Sequence, residues 1–221
     1  LKLAILDVNG TLFPLDPVED QLAAVGLPGT LQLWFARILR DGFAHATAGT
    51  FTAFPDLARH HLRILSEERG TTIDEARVDQ VLEGFEQTFP HGDVEPALRR
   101  LAEQHVTVVT MTNGTVDITR RFLARAELDT YVDATHDVSA AGAWKPAAAA
   151  YRYVLDHHGV AAQDAALLAI HPWDVHGAAT AGLVTGWVDR DGDRYPEGMA
   201  PPDVRGSSLL EVVDALLARS S

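Results

Sequence analysis

The chain contains no cysteine, which removes disulfide staples, thiolate catalysis and cysteine-ligated zinc ribbons together. Basic residues are also scarce: 18 Lys and Arg stand against 31 Asp and Glu, a formal charge of −13 at pH 7. Such an acidic surface repels phosphate backbones and anionic lipid, so neither nucleic acid nor a membrane is an expected partner. No apolar run approaches bilayer-spanning length. The opening LKLAILD has neither the basic lead nor the cleavage site of a signal peptide, so the expected location is cytoplasmic. What remains is 221 residues, 47% apolar and 22% charged, the composition of a globular protein. That length allows one large domain or two small ones, and folding would bury roughly 70% of the unfolded chain's surface.

Four short apolar runs, at residues 1–6, 106–111, 165–170 and 183–188, read as strands covered on both faces. Helical patterns at 95–103, 115–126, 146–158, 175–181 and 208–219 lie between or after them. Alternating strands and helices build a parallel sheet with crossovers, an α/β fold of Rossmann-like type. The pattern changes between residues 14 and 91, where 31–39, 56–68 and 74–89 read as helices with no strand between them. Breakers mark both borders, Pro14 and Pro17 on entry and Pro90, His91 and Gly92 on exit. The expected organisation is a core domain formed by 1–13 and 92–221, with a helical cap, 14–91, inserted over the strand ends.

In an open parallel sheet, ligands bind beyond the carboxyl ends of the strands. The residues found there form a coherent set. Asp7, Asn9, Gly10 and Thr11 follow the first run, and Thr112, Asn113 and Gly114 follow the second. Lys145 and Pro146 precede a helix, and His171, Pro172, Trp173 and Asp174 follow the third run. A carboxylate, a hydroxyl with an amide, an ammonium and a second carboxylate thus converge.

This order resembles the haloacid dehalogenase superfamily over nearly the whole chain. Its motifs are a nucleophilic Asp in DxxxT, a Ser or Thr after the second strand, a Lys, and a terminal acidic motif. The resemblance implies that Asp7 attacks the substrate to form an acyl intermediate that water hydrolyses. It implies that Thr11 orients Asp7, Thr112 binds the transferred group, and Lys145 keeps Asp7 ionised. Phosphatases of the superfamily carry a second Asp two residues after the nucleophile, where this chain has Asn9, and an amide cannot shuttle a proton. The first Mg²⁺-binding acid of their last motif falls on Ile170, leaving only Asp174.

The group that needs neither is the type II L-2-haloacid dehalogenases, and more residues resemble its pattern. Asn113 matches a halide-cradling Asn, Trp173 and Asp174 match a Trp-Asp pair, Tyr151 matches an active-site Tyr, and Phe54 matches a pocket Phe on the cap. A small 2-substituted carboxylate is the implied substrate, with no metal and with a homodimer left open. Three positions depart from the pattern: Asn9 replaces a Tyr, His171 an Asn, and Phe35, directly after Trp34, an anion-holding Arg. Arg37 and Arg40 fall about 200° and 140° around the helix from position 35, so neither substitutes for it. Two other readings stand beside this one. The first is a Mg²⁺-dependent phosphatase or phosphotransferase holding its ion through Asp7, the Asn9 carbonyl and Asp174. The second is a degenerate member that binds a metabolite without turnover. Among the ten histidines, the adjacent pairs His60-His61 and His157-His158 point about 100° apart on a helix and are not expected to chelate together. His171 is expected as a polar wall of the pocket.

Overall fold

The computed structural model describes residues 1–219. It contains a parallel sheet in the order β3-β2-β1-β4-β5-β6. The strands are β1 (Leu3–Leu6), β2 (Thr107–Thr112), β3 (Ala134–Asp137), β4 (Ala165–Ala169), β5 (Val184–Val188) and β6 (Val204–Gly206). β1 lies at the centre with parallel partners on both sides, Ile5 opposite Val109 of β2 and Leu167 of β4. All four residues of β1 are buried, as a central strand covered on both faces requires. The core helices are α5 (Val94–Glu103), α6 (Val116–Arg125), α7 (Ala148–His158), α8 (Pro172–Thr180) and α9 (Leu209–Arg219). No helix among the described residues is long and apolar enough to cross a membrane.

Between β1 and α5 the chain is helical: α1 (Asp16–Ala24), α2 (Leu31–Ala48), α3 (Phe54–Glu68) and α4 (Glu75–Glu83), followed by a 3₁₀ turn at Gly84–Gln87. α1 is absent from the sequence expectation because Pro17 reads there as a breaker. In the structure it occupies the first turn, where a missing N–H costs nothing. α2 runs well past residue 39 and ends at Gly49, whose φ of 70° closes the helix in the left-handed conformation. β3 and β6 are also unanticipated, being edge strands of 4 and 3 residues with little apolar content.

One glycine joins the insert to the core. A Cβ on Gly42 of α2 would lie 2.3 Å from the Trp144 ring. Trp144 is fully buried and donates its indole N–H to the Thr52 carbonyl at 2.9 Å, so it cannot easily move aside. Gly42→Ala gains up to ~1 kcal/mol of helix propensity against an overpacking cost of ~1–3 kcal/mol. The expected net is a loss of up to about 2 kcal/mol, read as a lower midpoint in urea unfolding with an unchanged slope.

Candidate active site

Asp7 is the first residue after β1, and its backbone N–H bonds the Leu168 carbonyl of β4 at 3.1 Å. Its side chain is 3–5% exposed and both of its oxygens are engaged. Oδ1 accepts from Lys145 Nζ at 2.8 Å, and Oδ2 accepts from the Thr11 hydroxyl at 2.7 Å. Thr11 Oγ1 in turn accepts the Ile170 N–H at 3.1 Å, which fixes the rotor and aims its proton at Asp7. The sequence places Thr11 four residues on because the loop folds back, with Leu12 N–H bonded to Val8 C=O at 2.9 Å.

Lys145 is fully buried and is no surface lysine. Its ammonium donates to Asp7 Oδ1, to Asp174 Oδ2 at 2.5 Å and to the Met111 carbonyl at 2.8 Å, using all three protons. Asp174, in the first turn of α8, also accepts the Tyr151 hydroxyl on Oδ1 at 2.6 Å. Gly177 allows this packing, since a Cβ there would sit 2.4 Å from Pro146 and 2.7 Å from the Tyr151 hydroxyl. The Lys145–Pro146 peptide is cis.

The two carboxylates differ in electrostatics although they share one lysine. Burial pushes the Asp7 carboxyl up, but Lys145, His171 and the Thr11 hydroxyl outweigh it and hold the group below the usual carboxylate value. For Asp174 burial wins, with Asp7 adding to it, and its value is raised despite Lys145 and Tyr151. Burial lowers Lys145, and Asp174 and Asp7 more than reverse this, so the ammonium is held above its usual value. Asp7 is therefore the firmly ionised member of the set.

The remaining expected residues divide into those that reach the pocket and those that stand behind it. Thr112 closes β2, and its Oγ1 accepts the Gly114 N–H at 2.9 Å. Asn9, Thr112 and Gly114 border a cavity of about 330 Å³ whose apolar wall includes Phe54, Phe85 and Ile118. Phe35, Phe54, His171 and Trp173 come together above: Phe35 lies 6.0 Å from Phe54 and 6.3 Å from His171, which stacks on Trp173 at 5.1 Å. The Trp173 ring is 5.9 Å from the Lys145 ammonium. His171 Nε2 donates to the Asn9 carbonyl at 3.0 Å and is 3.6 Å from Asp7 Oδ2, so it is a polar wall of the site.

Two residues expected at the substrate have other places. Asn113 brackets the Lys145 backbone, accepting its N–H at 2.9 Å and donating to its carbonyl at 3.1 Å. That leaves one amide N–H for any ligand. Tyr151 is fully buried behind Asp174 and orients it rather than facing the pocket. Arg37 and Arg40 pair with Glu68 and Asp41, and neither replaces the cation that Phe35 omits. The spacing of His171, Asp174 and His176 makes no ligand trio, since Lys145 and Tyr151 occupy Asp174 and His176 Nδ1 accepts the Ala200 N–H.

Sequence reasoning missed the groups that hold the Asp7 loop from outside. Arg190 donates to the Thr11 carbonyl at 2.9 Å and makes two bonds of 3.0 Å to Asp93, and His91 Nε2 bonds the Gly10 carbonyl at 3.1 Å. Arg190 sits in the run DRDGDR, which looks like any solvated charged loop, so its signal is absent from the sequence.

A Rossmann-like sheet, a helical insert directly behind its first strand and a buried carboxylate at that strand's end define a class of α/β enzyme. A model of the haloacid dehalogenase-like hydrolases matches residues 1–182, and the chain belongs to that family. It is 23% identical to haloacetate dehalogenase H-2 from Moraxella sp. over 221 residues, covering 98% of this chain and 96% of that protein. It is 32% identical over 151 residues to phosphoserine phosphatase from Thermus thermophilus, covering 66% of this chain and 59% of that protein. The L-2-haloacid dehalogenase from Xanthobacter autotrophicus, solved with chloropropionic acid covalently bound, shares the fold with a TM-score of 0.89, 98% coverage of each chain and 21% identity.

Removing the ammonium leaves two buried carboxylates unpaired. Lys145→Gln is expected to cost about 3–5 kcal/mol. Without Lys145 both folded-state carboxyl values rise, the folded state binds protons first, and stability increases as pH falls. Urea midpoints between pH 7.5 and 5 should therefore rise more in Lys145→Gln than in the unsubstituted protein. Equal slopes would show that the two carboxylates do not depend on this lysine.

Proposed function

We propose that this hydrolase cleaves a small carboxylate bearing a leaving group at C2, a 2-haloacid in the type case, through an ester formed on Asp7. The observation that carries the reading is the state of Asp7: buried, ionised, and held by Lys145 and Thr11, with Asn9 two residues on bordering the cavity. One Asp7 oxygen attacks C2 in line, the C2–halogen bond breaks, and the halide leaves with the bonding pair. Water then adds to the Asp7 acyl carbon, the ester C–O bond breaks, and a 2-hydroxy acid is released with one water oxygen retained in Asp7. Lys145 and Thr11 stabilise the carboxylate before attack and each time it is regenerated. Asp174, fixed by Tyr151, holds the ammonium in place. In this reading residues 14–91 act as a cap that closes over a core of 1–13 and 92–221, and Phe35, Phe54 and Trp173 exclude water from the substrate.

The Mg²⁺ alternative is favoured by the phosphatase relative, but the oxygens it requires do not fit a cation. Both oxygens of Asp7 and of Asp174 accept protein donors, and the Asn9 carbonyl accepts His171 Nε2. A hard ion with six or more oxygen ligands would have to displace several of these bonds. The proposal is accordingly metal-independent.

Single-turnover hydrolysis in ¹⁸O water is expected to place label in the Asp7 carboxylate, read by peptide mass spectrometry, and halide release is expected to be unchanged by EDTA. Label appearing only in the first-turnover product, or phosphate release restored by Mg²⁺ after EDTA, refutes the reading. Phe35 supplies a second test. With Phe35 in place of an Arg and the cavity's Arg59 already paired with Asp79 and Glu75, turnover of 2-chloropropionate is expected to be weak, with a preference for larger apolar chains that pack on Phe35, Phe54 and Trp173. Phe35→Arg adds fixed donors and is expected to raise kcat/KM for 2-chloropropionate at least tenfold. Robust wild-type turnover that Phe35→Arg leaves unchanged would mean the anion is held elsewhere.

A further inference from the structure

Away from Asp7, three imidazoles meet between the edge strand β3 and the end of α7. His136 comes from β3, and His157 and His158 are the last two residues of α7. One ligand atom from each lies within 4.8 Å of the others. His136 Nε2 and His158 Nε2 are 2.9 Å apart, and the His157 ring centroid is 5.0 Å from both other rings. The adjacent pair on α7 was not expected to chelate. The helix ends at that pair, with Gly159 turning away at φ 63°, and β3 supplies a third ring that fills the angle between them.

We propose that His136, His157 and His158 bind one divalent transition-metal ion of the zinc type. Three imidazole nitrogens are the donor set such ions prefer over Mg²⁺ or Ca²⁺. In a tetrahedral zinc site with Zn–N of 2.0–2.1 Å, ligand nitrogens stand about 3.3 Å apart. The His136–His158 pair therefore opens slightly and His157, which is exposed, swings inward. In the absence of metal one of the two Nε2 atoms donates its proton to the other. On binding, that proton leaves Nε2 and the same ring takes one at Nδ1 from solvent, so each imidazole stays neutral and presents a lone pair. His136 is buried while His157 is open to solvent, which gives a fixed base and an entry side. A groove of about 610 Å³ lined by His136, His157, Tyr153, Asp129, Asp133 and Arg120 leads to the cluster, and its two carboxylates outnumber the one guanidinium, which favours an approaching cation. The fourth position is left to water. The ion would tie β3 to α7, the helix that carries Tyr151.

The test uses the full chain with ZnCl₂ in chelator-free buffer, followed by isothermal titration and thermal unfolding. One Zn²⁺ per chain and a Tm that rises with Zn²⁺ concentration are expected, with halide release unchanged. His158→Asn and His157→Asn, both at the accessible end of α7, should each weaken binding at least tenfold and remove most of the Tm increase. In the unsubstituted protein, Co²⁺ should shift the imidazole resonances of His136, His157 and His158, and leave those of His60, His61 and His176 in place. Binding of equal strength in both variants, no binding below millimolar Zn²⁺, or Co²⁺ shifts at other histidines overturns the proposal.

Discussion

The active end of this molecule depends on one buried ammonium. Lys145 has no exposed surface, and its charge is tolerable there only because two carboxylates and a main-chain carbonyl take its three protons. That requirement reaches in every direction. β1 must deliver Asp7, β2 the Met111 carbonyl, α8 Asp174, and the segment before α7 the lysine itself. Asn113 holds the Lys145 peptide from both sides, and Trp144, the preceding residue, is locked against Gly42 of the insert. The ion cluster therefore links sheet, crossover and helical insert at a single point.

The two aspartates illustrate how environment divides one residue type into two roles. Both touch Lys145 and both are buried. Asp7 additionally has the Thr11 hydroxyl and the nearby His171 imidazole, while Asp174 has a phenol and the repulsion of Asp7 itself. The result is one carboxylate held below its usual value and one pushed above it, the separation that lets paired acids act differently. Asp7 has the charge, and Asn9, two residues on, borders the cavity. Asp174 is enclosed by Lys145 and Tyr151 and positions the cation.

Much of this was legible in the sequence because a parallel sheet places the residues after its strands together. Asp7, Thr11, Thr112 and Asp174 could be picked out by position after apolar runs, and Lys145 by its place ahead of a helix, without any knowledge of distances. What was not legible has definite causes. Edge strands β3 and β6 lack the continuous apolar run that marks a buried strand. Pro17 reads as a breaker until the chain is seen to enter α1 there. Asn113 and Tyr151 were assigned to the right region, but only the folded arrangement reveals that main chain and Asp174 have claimed their polar atoms. Arg190 and Asp93, which hold the Asp7 loop from behind, are 97 positions apart in a chain rich in charged loops, so no local pattern connects them.

The charge of the site constrains what it can hold. With Asp7 ionised and the Lys145 ammonium committed to Asp7 and Asp174, the closed set offers no free cation and already holds one anion at its reacting end. A substrate carboxylate placed beside it adds a second, and where type II dehalogenases place an Arg this roof presents Phe35. Arg59 lines the cavity but is paired with Asp79 and Glu75, and the other donors there are neutral, among them the Asn9 amide and the Thr112 hydroxyl. Such donors bind an anion by geometry and not by charge, and they compete poorly with water unless most of the anion stays at the wet margin. The aromatic roof then acts on the other end of the molecule. On the proposed reaction it favours a substrate whose reactive carbon reaches Asp7 on an apolar body while its carboxylate points back toward solvent, a division of labour opposite to that of a pocket built around a buried guanidinium.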